Sequence, residues 1–257
     1  MKRKELLIII PVYNEGKNIR KVLTDLEQFS DWADILIIND ASTDSTNWIV
    51  KQMQYPMISQ PFNMGYGCAL QTGYKWAIRR NYQYVIQMDG DGQHDVSNIP
   101  RLFAKLKEKD ENGNCPDIVL GARFMKDSGE FPVSLPKKIV YSMFRFVIYK
   151  ITGNRISDPT TGLQGLNRKA FLYYSKYNHF DDKYPDANML ALMMLIKFQV
   201  VEIPAVMHMR KEGKSMHSGL SPFWYMFRVC YSILIVLFQV KVLKMDTGVG
   251  LKSADKI

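Results

Sequence analysis

The sequence predicts an α/β domain built on a mostly parallel sheet flanked by helices. Three observations predict it. The runs Leu6–Pro11, Asp34–Asn39 and Tyr84–Met88 carry apolar residues without alternation, the pattern of strands covered on both faces. Segments with helical spacing separate them. Polar residues gather just after each run, where ligands of open parallel sheets bind. The 257 residues suffice for one large α/β domain or two small lobes, and a 47% hydrophobic content supplies the core.

Leu6–Pro11 is the first strand, followed by a polar helix from Gly16 to Phe29. Asp34–Asn39 is the second strand and Ser45–Met53 the second helix. Gly67–Arg80 has helical spacing, and Tyr84–Met88 is the third strand. Asn98-Ile99-Pro100 opens a helix to Lys109, with proline in the first turn, where its missing N–H costs nothing. Asp117–Gly121 is the fourth strand. The second half differs: Lys126–Lys138 reads as a connector, Ile139–Ile151 as an aromatic-rich helix, and Asp158–Gly162 as a loop. Tyr184–Lys197 reads as a helix and Val200–Met209 as a strand.

The formal net charge of +9 favours anionic partners: nucleic acid, acidic lipid or a phosphorylated ligand. Nucleic acid is set aside, because the basic residues are not interleaved with a recognisable nucleic-acid module. Cys68, Cys115 and Cys230 lie far apart and form no Cys-x-x-Cys pair, which suits reduced thiols in a cytosolic setting. Met1–Glu5 leads directly into the first strand, and no signal peptide is expected.

The most informative stretch is Asp89-Gly90-Asp91-Gly92-Gln93-His94, at the end of the third strand. Two carboxylates one residue apart at a strand end can reach the same hard cation, Mg²⁺ or Mn²⁺, which offsets the charge of a diphosphate. Acidic turns also occur with no such role. Pro11-Val12-Tyr13-Asn14-Glu15 can hold a nucleobase and its ribose, or simply lead into a helix. Asp40 is weighted toward the nucleoside, and Ser42 and Asp44 toward capping the next helix. Gly65-Tyr66-Gly67 lacks the third glycine of a dinucleotide fingerprint, so Asn63 and Gly65 are expected to shape a turn beside the nucleotide.

Arg123 and Arg210 are candidates for gripping an acceptor phosphate or the diphosphate, because the guanidinium presents a fork of donors. Lys137, Lys138 and His217 can join them or remain solvated surface. Asp186 precedes an apolar helix, where it can act as a base toward an attacking hydroxyl or favour the helix dipole. Phe223–Lys244 has a charge-free stretch of 12 residues, Val229–Val240, below the roughly 20 a spanning helix needs. Aromatics in front and lysines behind suit a helix lying in a membrane interface, a core helix, or one docking on a small membrane protein.

In order and spacing, Pro11–Glu15, Asn39–Asp44, Asn63-Met64-Gly65, Asp89–His94, Gly121-Ala122-Arg123 and Asp158–Gly162 resemble family 2 glycosyltransferases of the GT-A fold. The likeness covers residues 6–217 and is strongest to the polyprenyl-phosphate hexosyltransferase branch, of the dolichol-phosphate mannose synthase type. One departure is that Asn39-Asp40-Ala41-Ser42 stands where Asp-Asp-Gly-Ser is usual.

The resemblance implies a Rossmann-like mixed sheet, a metal held by Asp89, Asp91 and Gln93, and a nucleotide-sugar donor bound near Pro11, Tyr13, Asn14, Glu15, Asp40, Asn63, Gly65, Asp89 and Gly90. It implies basic residues at the lipid phosphate, here Arg123, Lys138, Arg210 and His217, and a catalytic set of Asp91, Asp186, Arg123 and Arg210. Residues 1–220 would form the catalytic domain, with nucleotide-sugar (1–125) and acceptor (126–220) halves, and 221–257 an interfacial helix and tail. The expected reaction is inverting transfer of a hexose from a UDP- or GDP-sugar to a polyprenyl phosphate at the cytoplasmic membrane face. A homo-oligomer or a small membrane partner is compatible with this. Transfer to a glycan hydroxyl with Asp186 as base, or a non-catalytic sugar-nucleotide- or membrane-binding subunit, are the alternatives.

Overall fold

The structure, a computed structural model, describes residues 4–129, 131–182, 185–209, 231–238 and 240. In chain order these form β1 (Leu6–Val12), α1 (Ile19–Leu26), a 3₁₀ turn (Glu27–Phe29), β2 (Ala33–Asn39), α2 (Thr46–Gln52), β3 (Met57–Ser59) and α3 (Tyr66–Arg79). There follow β4 (Tyr84–Gln87), α4 (Asn98–Lys107), β5 (Ile118–Ala122), α5 (Leu135–Thr152), β6 (Gln164–Asn167), α6 (Arg168–Ser175), α7 (Ala187–Leu195) and β7 (Val200–Pro204).

One seven-stranded sheet runs β3-β2-β1-β4-β6-β5-β7. Every pairing is parallel except those of β6, which lies antiparallel between β4 and β5. All seven residues of β1 are buried, as its uninterrupted apolar run requires. Its side chains alternate between two cores. Leu6, Ile8, Ile10 and Val12 meet α1, α2 and α4, while Leu7 and Ile9 meet α3 and the layer of α5, α6 and α7. This mixed sheet between two helical layers brings the carboxyl ends of β1, β2 and β4 to one rim.

The element readings hold within a few residues, with four differences. β3 is a three-residue edge strand, too short to show an apolar run in the sequence. β6 and α6 lie beyond the elements expected from the sequence. Gln164-Gly165-Leu166-Asn167 carries no apolar run, yet Gln164 and Leu166 are buried, with Gln164 donating to the Thr161 carbonyl. The connector is shorter than Lys126–Lys138, since α5 begins at Leu135, so Lys137 and Lys138 belong to its first turn. The last strand ends at Pro204, and the chain beyond it meets the sheet rim through the isolated bridge His94–Met207.

Of the segment Phe223–Lys244, residues 231–238 and 240 are described and are helical. Ile233 is buried in the same core as Phe144 of α5 and Leu190 of α7. No helix among the described residues is long and apolar enough to cross a membrane.

Candidate active site

The loops after β1 and β2 are tied to each other. The Asn14 side chain, on a left-handed residue with φ of 56°, accepts from the backbone N–H of Thr43 at 2.8 Å, and its own N–H donates to the Ser42 hydroxyl at 2.9 Å. Asp44 accepts from the N–H groups of Gly16 and Thr46 and from the Thr46 hydroxyl. Partial burial opposes ionisation of Asp44, but these donors outweigh it and hold its carboxyl below the ordinary range. Asp40 is buried and accepts from the N–H groups of Met64 at 2.8 Å and Gly65 at 2.9 Å. Gly65 adopts φ of 101°, which favours glycine, and opens α3. Asp40, Asn14 and Gly65 therefore build the rim. Tyr13 and Asn63 stand exposed beside it, and the Glu15 carboxylate accepts from Asn18. Gly90 packs against the end of β1, where a Cβ would fall 2.6 Å from the Val12 side chain and 3.4 Å from the Pro11 carbonyl oxygen.

Asp89, just past β4, is the centre of the arrangement, with 33% of its side chain exposed. Its Oδ1 accepts from the Tyr66 hydroxyl at 2.8 Å, and its Oδ2 lies 3.1 Å from His94 Nε2. An ionised carboxylate only accepts, so Nε2 carries the proton. His94 is 4% exposed and its Nδ1 is buried without a hydrogen-bond partner, which leaves Asp89 as the ring's polar anchor. Burial alone would raise the Asp89 carboxyl. The His94 bond and charge, the Tyr66 bond and the Arg123 charge more than offset this, and the group lies below the ordinary carboxylate range. Tyr66 is pushed well above the usual phenol range by burial and by the charges of Asp89 and Asp186, so it remains a donor. Asp186 thus lies within electrostatic reach of Tyr66, at the start of α7 and with no side-chain cap bond to that helix.

Two further segments close on this centre. The loop after β4 is clamped to the chain after β7. His208 N–H donates to the Gln93 carbonyl at 2.7 Å, Gln93 Nε2 to the His208 carbonyl at 3.2 Å, and Asn98 bonds Val206 in both directions. The loop Asp158–Gly162 lies on the other side, where a Cβ on Gly162 would fall 2.4 Å from Asp89 Oδ2.

Arg123, expected at a phosphate, is bound to this loop. Its Nε and one terminal nitrogen meet the Asp158 carboxylate, each at 2.6 Å, and the same terminal nitrogen donates to the Thr160 hydroxyl at 2.8 Å. The guanidinium lies within 5.7 Å of the ring centres of Phe124, Phe131 and Tyr141. Burial opposes its charge, yet the Asp158 bonds and charge prevail and raise its pKa. The geometry makes Arg123 an anchor of the 158–162 loop that also reaches Asp89 electrostatically. Lys138 is exposed on α5. Arg210 and His217 lie outside the described residues.

The donors fit a divalent cation of the Mg²⁺ or Mn²⁺ type. Each Asp89 oxygen has one protein partner and retains a further lone pair. Asp91 is two residues away and accepts from the Gln93 N–H at 3.0 Å. The Gln93 amide gives its nitrogen to His208, leaving its oxygen as the atom with hard-ligand character. No group of three or more His, Cys, Asp or Glu side chains converges among the described residues, so the protein offers two carboxylates and an amide, with phosphate oxygens to complete a shell.

Tyr66 and Gly162, which meet Asp89, carry no signal of that contact in the sequence. In the sequence Tyr66 stands only as the residue between two glycines. Removing its hydroxyl in Tyr66→Phe is expected to weaken Mn²⁺ binding about tenfold, as loss of outer-shell partners does. Mn²⁺ titration followed by electron paramagnetic resonance reads this, and unchanged affinity would rule out the hydroxyl as a support.

A mixed sheet of this order, with paired carboxylates at the rim after its fourth strand, is GT-A-like and belongs to sugar-transfer enzymes. The chain belongs to glycosyl transferase family 2, whose model matches residues 7–174. It is 37% identical over 128 residues to an uncharacterised protein of Methanocaldococcus jannaschii, covering 47% of this chain and 53% of that one. The chain thus spans about half the length of that relative. It is 25% identical over 235 residues to polyprenol monophosphomannose synthase of Mycolicibacterium smegmatis, covering 87% and 84%. In fold it is similar to glucosyl-3-phosphoglycerate synthase of Mycobacterium tuberculosis, solved with Mn²⁺, UDP-glucose and phosphoglyceric acid. The TM-score is 0.66 at 17% identity, covering 91% of this chain and 79% of that one.

Proposed function

We propose that this chain transfers a hexose from a UDP- or GDP-sugar to a polyprenyl phosphate, undecaprenyl or dolichyl, at the cytoplasmic face of a membrane. The observation that carries this reading is the Asp89 carboxylate, kept ionised by Tyr66 and His94 at the rim where three parallel strands end. A divalent cation bound to Asp89, Asp91 and Gln93 would neutralise the charge of the departing diphosphate. The rim loops fixed by Asn14 and Asp40 would receive the nucleoside between Tyr13, Glu15, Asn63 and Gly65. The 158–162 loop, held by Arg123, would hold the sugar side of the site against Asp89. Residues 1–220 would act as the catalytic domain, and 221–257 as an interfacial extension. Arg210, Lys138 and His217 would meet the acceptor phosphate.

The relatives support the acceptor class. One with 84% coverage is named for polyprenol monophosphomannose synthesis, and another, of Methanococcus voltae, for N-acetylglucosamine transfer from its UDP form to dolichyl phosphate. The Mn²⁺ and UDP-glucose of the structural neighbour support the donor and metal class. Inversion at the anomeric carbon belongs to the same proposal. Incubation with a panel of radiolabelled UDP- and GDP-sugars, Mg²⁺ or Mn²⁺ and a short polyprenyl phosphate tests it. A labelled lipid product is expected, and its absence with every donor, or full turnover in excess chelator, would refute it.

A second reading, transfer to a glycan hydroxyl, is favoured by Asp186, whose charge reaches Tyr66 and so lies near the Asp89 centre. The acceptor chemistry separates the two. A phosphate monoester has its second pKa near about 6 and is already an anionic nucleophile at neutral pH, whereas an alcohol needs a base. Asp186→Asn is therefore expected to keep turnover within about tenfold of the parent on polyprenyl phosphate. A loss of about 10³-fold or more would favour the hydroxyl acceptor.

A further inference from the structure

We infer that Gln87 and Gln164 are positioning residues, which hold the Gly162 loop against Asp89 and so set the space in which cation and sugar meet. They are the last residue of β4 and the first of β6, and the antiparallel register places them directly opposite each other. Opposite residues of an antiparallel pair point to the same face of the sheet. That face is the apolar core that holds Val85 and Leu166, and the two glutamines are 2% and 5% exposed. A buried amide costs free energy unless it is hydrogen-bonded, and an aliphatic side chain would suit this core better. Packing alone therefore does not account for the pair.

Their hydrogen bonds do. Gln164 Nε2 donates to the Thr161 carbonyl at 3.1 Å, and Gln87 Nε2 donates to the Gly162 carbonyl at 3.3 Å. Both carbonyls precede β6, where the ladder between strands has not begun, and a buried carbonyl needs a partner. The two amides thus hold consecutive peptide groups of the loop. The Gln87 arm reaches further. Its Oε1 accepts from the Tyr74 hydroxyl, and burial pushes that phenol well above its usual range, so it stays a donor. Tyr74 stands on α3, as does Tyr66, whose hydroxyl meets Asp89 Oδ1 at 2.8 Å. One helix therefore fixes the carboxylate through Tyr66 and the facing glycine through Tyr74 and Gln87. The gap between them is too narrow for a methyl group, since a Cβ on Gly162 would fall 2.4 Å from Asp89 Oδ2. A shared support keeps that gap constant.

The inference rests on the reading that Asp89 holds the cation of a sugar-transfer site, and the experiment separates the two. Gln87→Leu/Tyr74→Phe removes the bond to Gly162 without leaving an unpaired hydroxyl in the core. Gln164→Leu frees the Thr161 carbonyl alone and gives an independent variant. Leu166→Ala opens a cavity in the same core without touching these bonds and serves as the packing control. Amide hydrogen exchange in metal-free protein, resolved by mass spectrometry, reads the loop directly. Exchange in the peptide spanning 157–163 is expected to rise about tenfold in the double variant and to rise in Gln164→Leu. Mn²⁺ affinity by electron paramagnetic resonance should fall about tenfold in the double variant. Leu166→Ala should leave both readouts parent-like while lowering the unfolding midpoint. Parent-like loop exchange or parent-like Mn²⁺ affinity in the double variant would overturn the inference. So would equal changes in Leu166→Ala, which would assign the network to packing. Failure of the parent to bind Mn²⁺ would instead remove the cation reading, and loop exchange alone would then decide the positioning.

Discussion

Asp158→Asn is expected to destabilise the protein by about 3–5 kcal/mol, the cost of breaking a buried ion pair on one side. Asp158 is 0% exposed and receives three bonds from one residue: the Arg123 backbone N–H at 2.9 Å and two guanidinium nitrogens at 2.6 Å. An amide at this position keeps the shape but loses the charge, and one of its atoms becomes a donor facing donors. The Arg123 guanidinium would then remain enclosed by Phe124, Phe131 and Tyr141 without the counter-charge it is hydrogen-bonded to. Because whole domains are stable by only about 5–15 kcal/mol, the loss is a large fraction of the total. Urea unfolding followed by far-ultraviolet circular dichroism reads it as a lower midpoint at constant slope. The paired change Arg123→Met/Asp158→Leu removes both charges into an aromatic setting and should cost less than Asp158→Asn. A loss below about 1 kcal/mol in the single variant would mean that the pair is worth no more than a surface contact.

The same residues mark what was legible in the sequence. Leu6–Pro11 and Tyr84–Met88 were readable as strands because each is buried on both faces, and burial writes itself into composition. The acid pair at 89 and 91 was readable because the residue types are themselves the chemistry. Arg123 was visible as a basic residue at a strand end, but its partner lies 35 positions later, and no local pattern distinguishes an arginine meant for a ligand from one meant for a buried aspartate. β6 was hidden for a related reason. Its Gln164 and Gly165 earn their places through tertiary contacts: the Gln164 amide bonds the Thr161 carbonyl, and a Cβ on Gly165 would fall 2.9 Å from Leu106. Tyr66 was hidden by its setting, since a tyrosine between two glycines carries no signal of the carboxylate 23 residues away. What the sequence withheld was the pairing of distant polar groups, and that pairing gives the site its shape.

Gly162→Ala is the substitution expected to separate site geometry from stability most cleanly. Its Cβ would sit 2.4 Å from Asp89 Oδ2 and 3.0 Å from Oδ1, distances that real contacts do not show. The loop cannot easily retreat. Thr161 next to it donates to the Gly121 carbonyl at 2.7 Å, the Gly162 carbonyl accepts from Gln87 at 3.3 Å, and Leu163 is packed against Gly121. Asp89 is the group that can move, and rotating it away breaks the bond to Tyr66, to His94 or to both. The cost to folding should be small, about 1 kcal/mol, since two partly enclosed hydrogen bonds are exchanged for solvent contacts. The cost to cation binding should be much larger, about 10–100-fold in Mn²⁺ affinity, because the carboxylate is turned from its bound direction. Turnover at low Mn²⁺ should fall by a similar factor and recover in part as Mn²⁺ is raised, with the unfolding midpoint nearly unchanged. Tyr66→Phe should lie between this variant and the parent, since it removes one support without displacing the carboxylate. If Gly162→Ala binds Mn²⁺ as tightly as the parent, Asp89 is not the ion's ligand, and the 158–162 loop serves only to close the sheet.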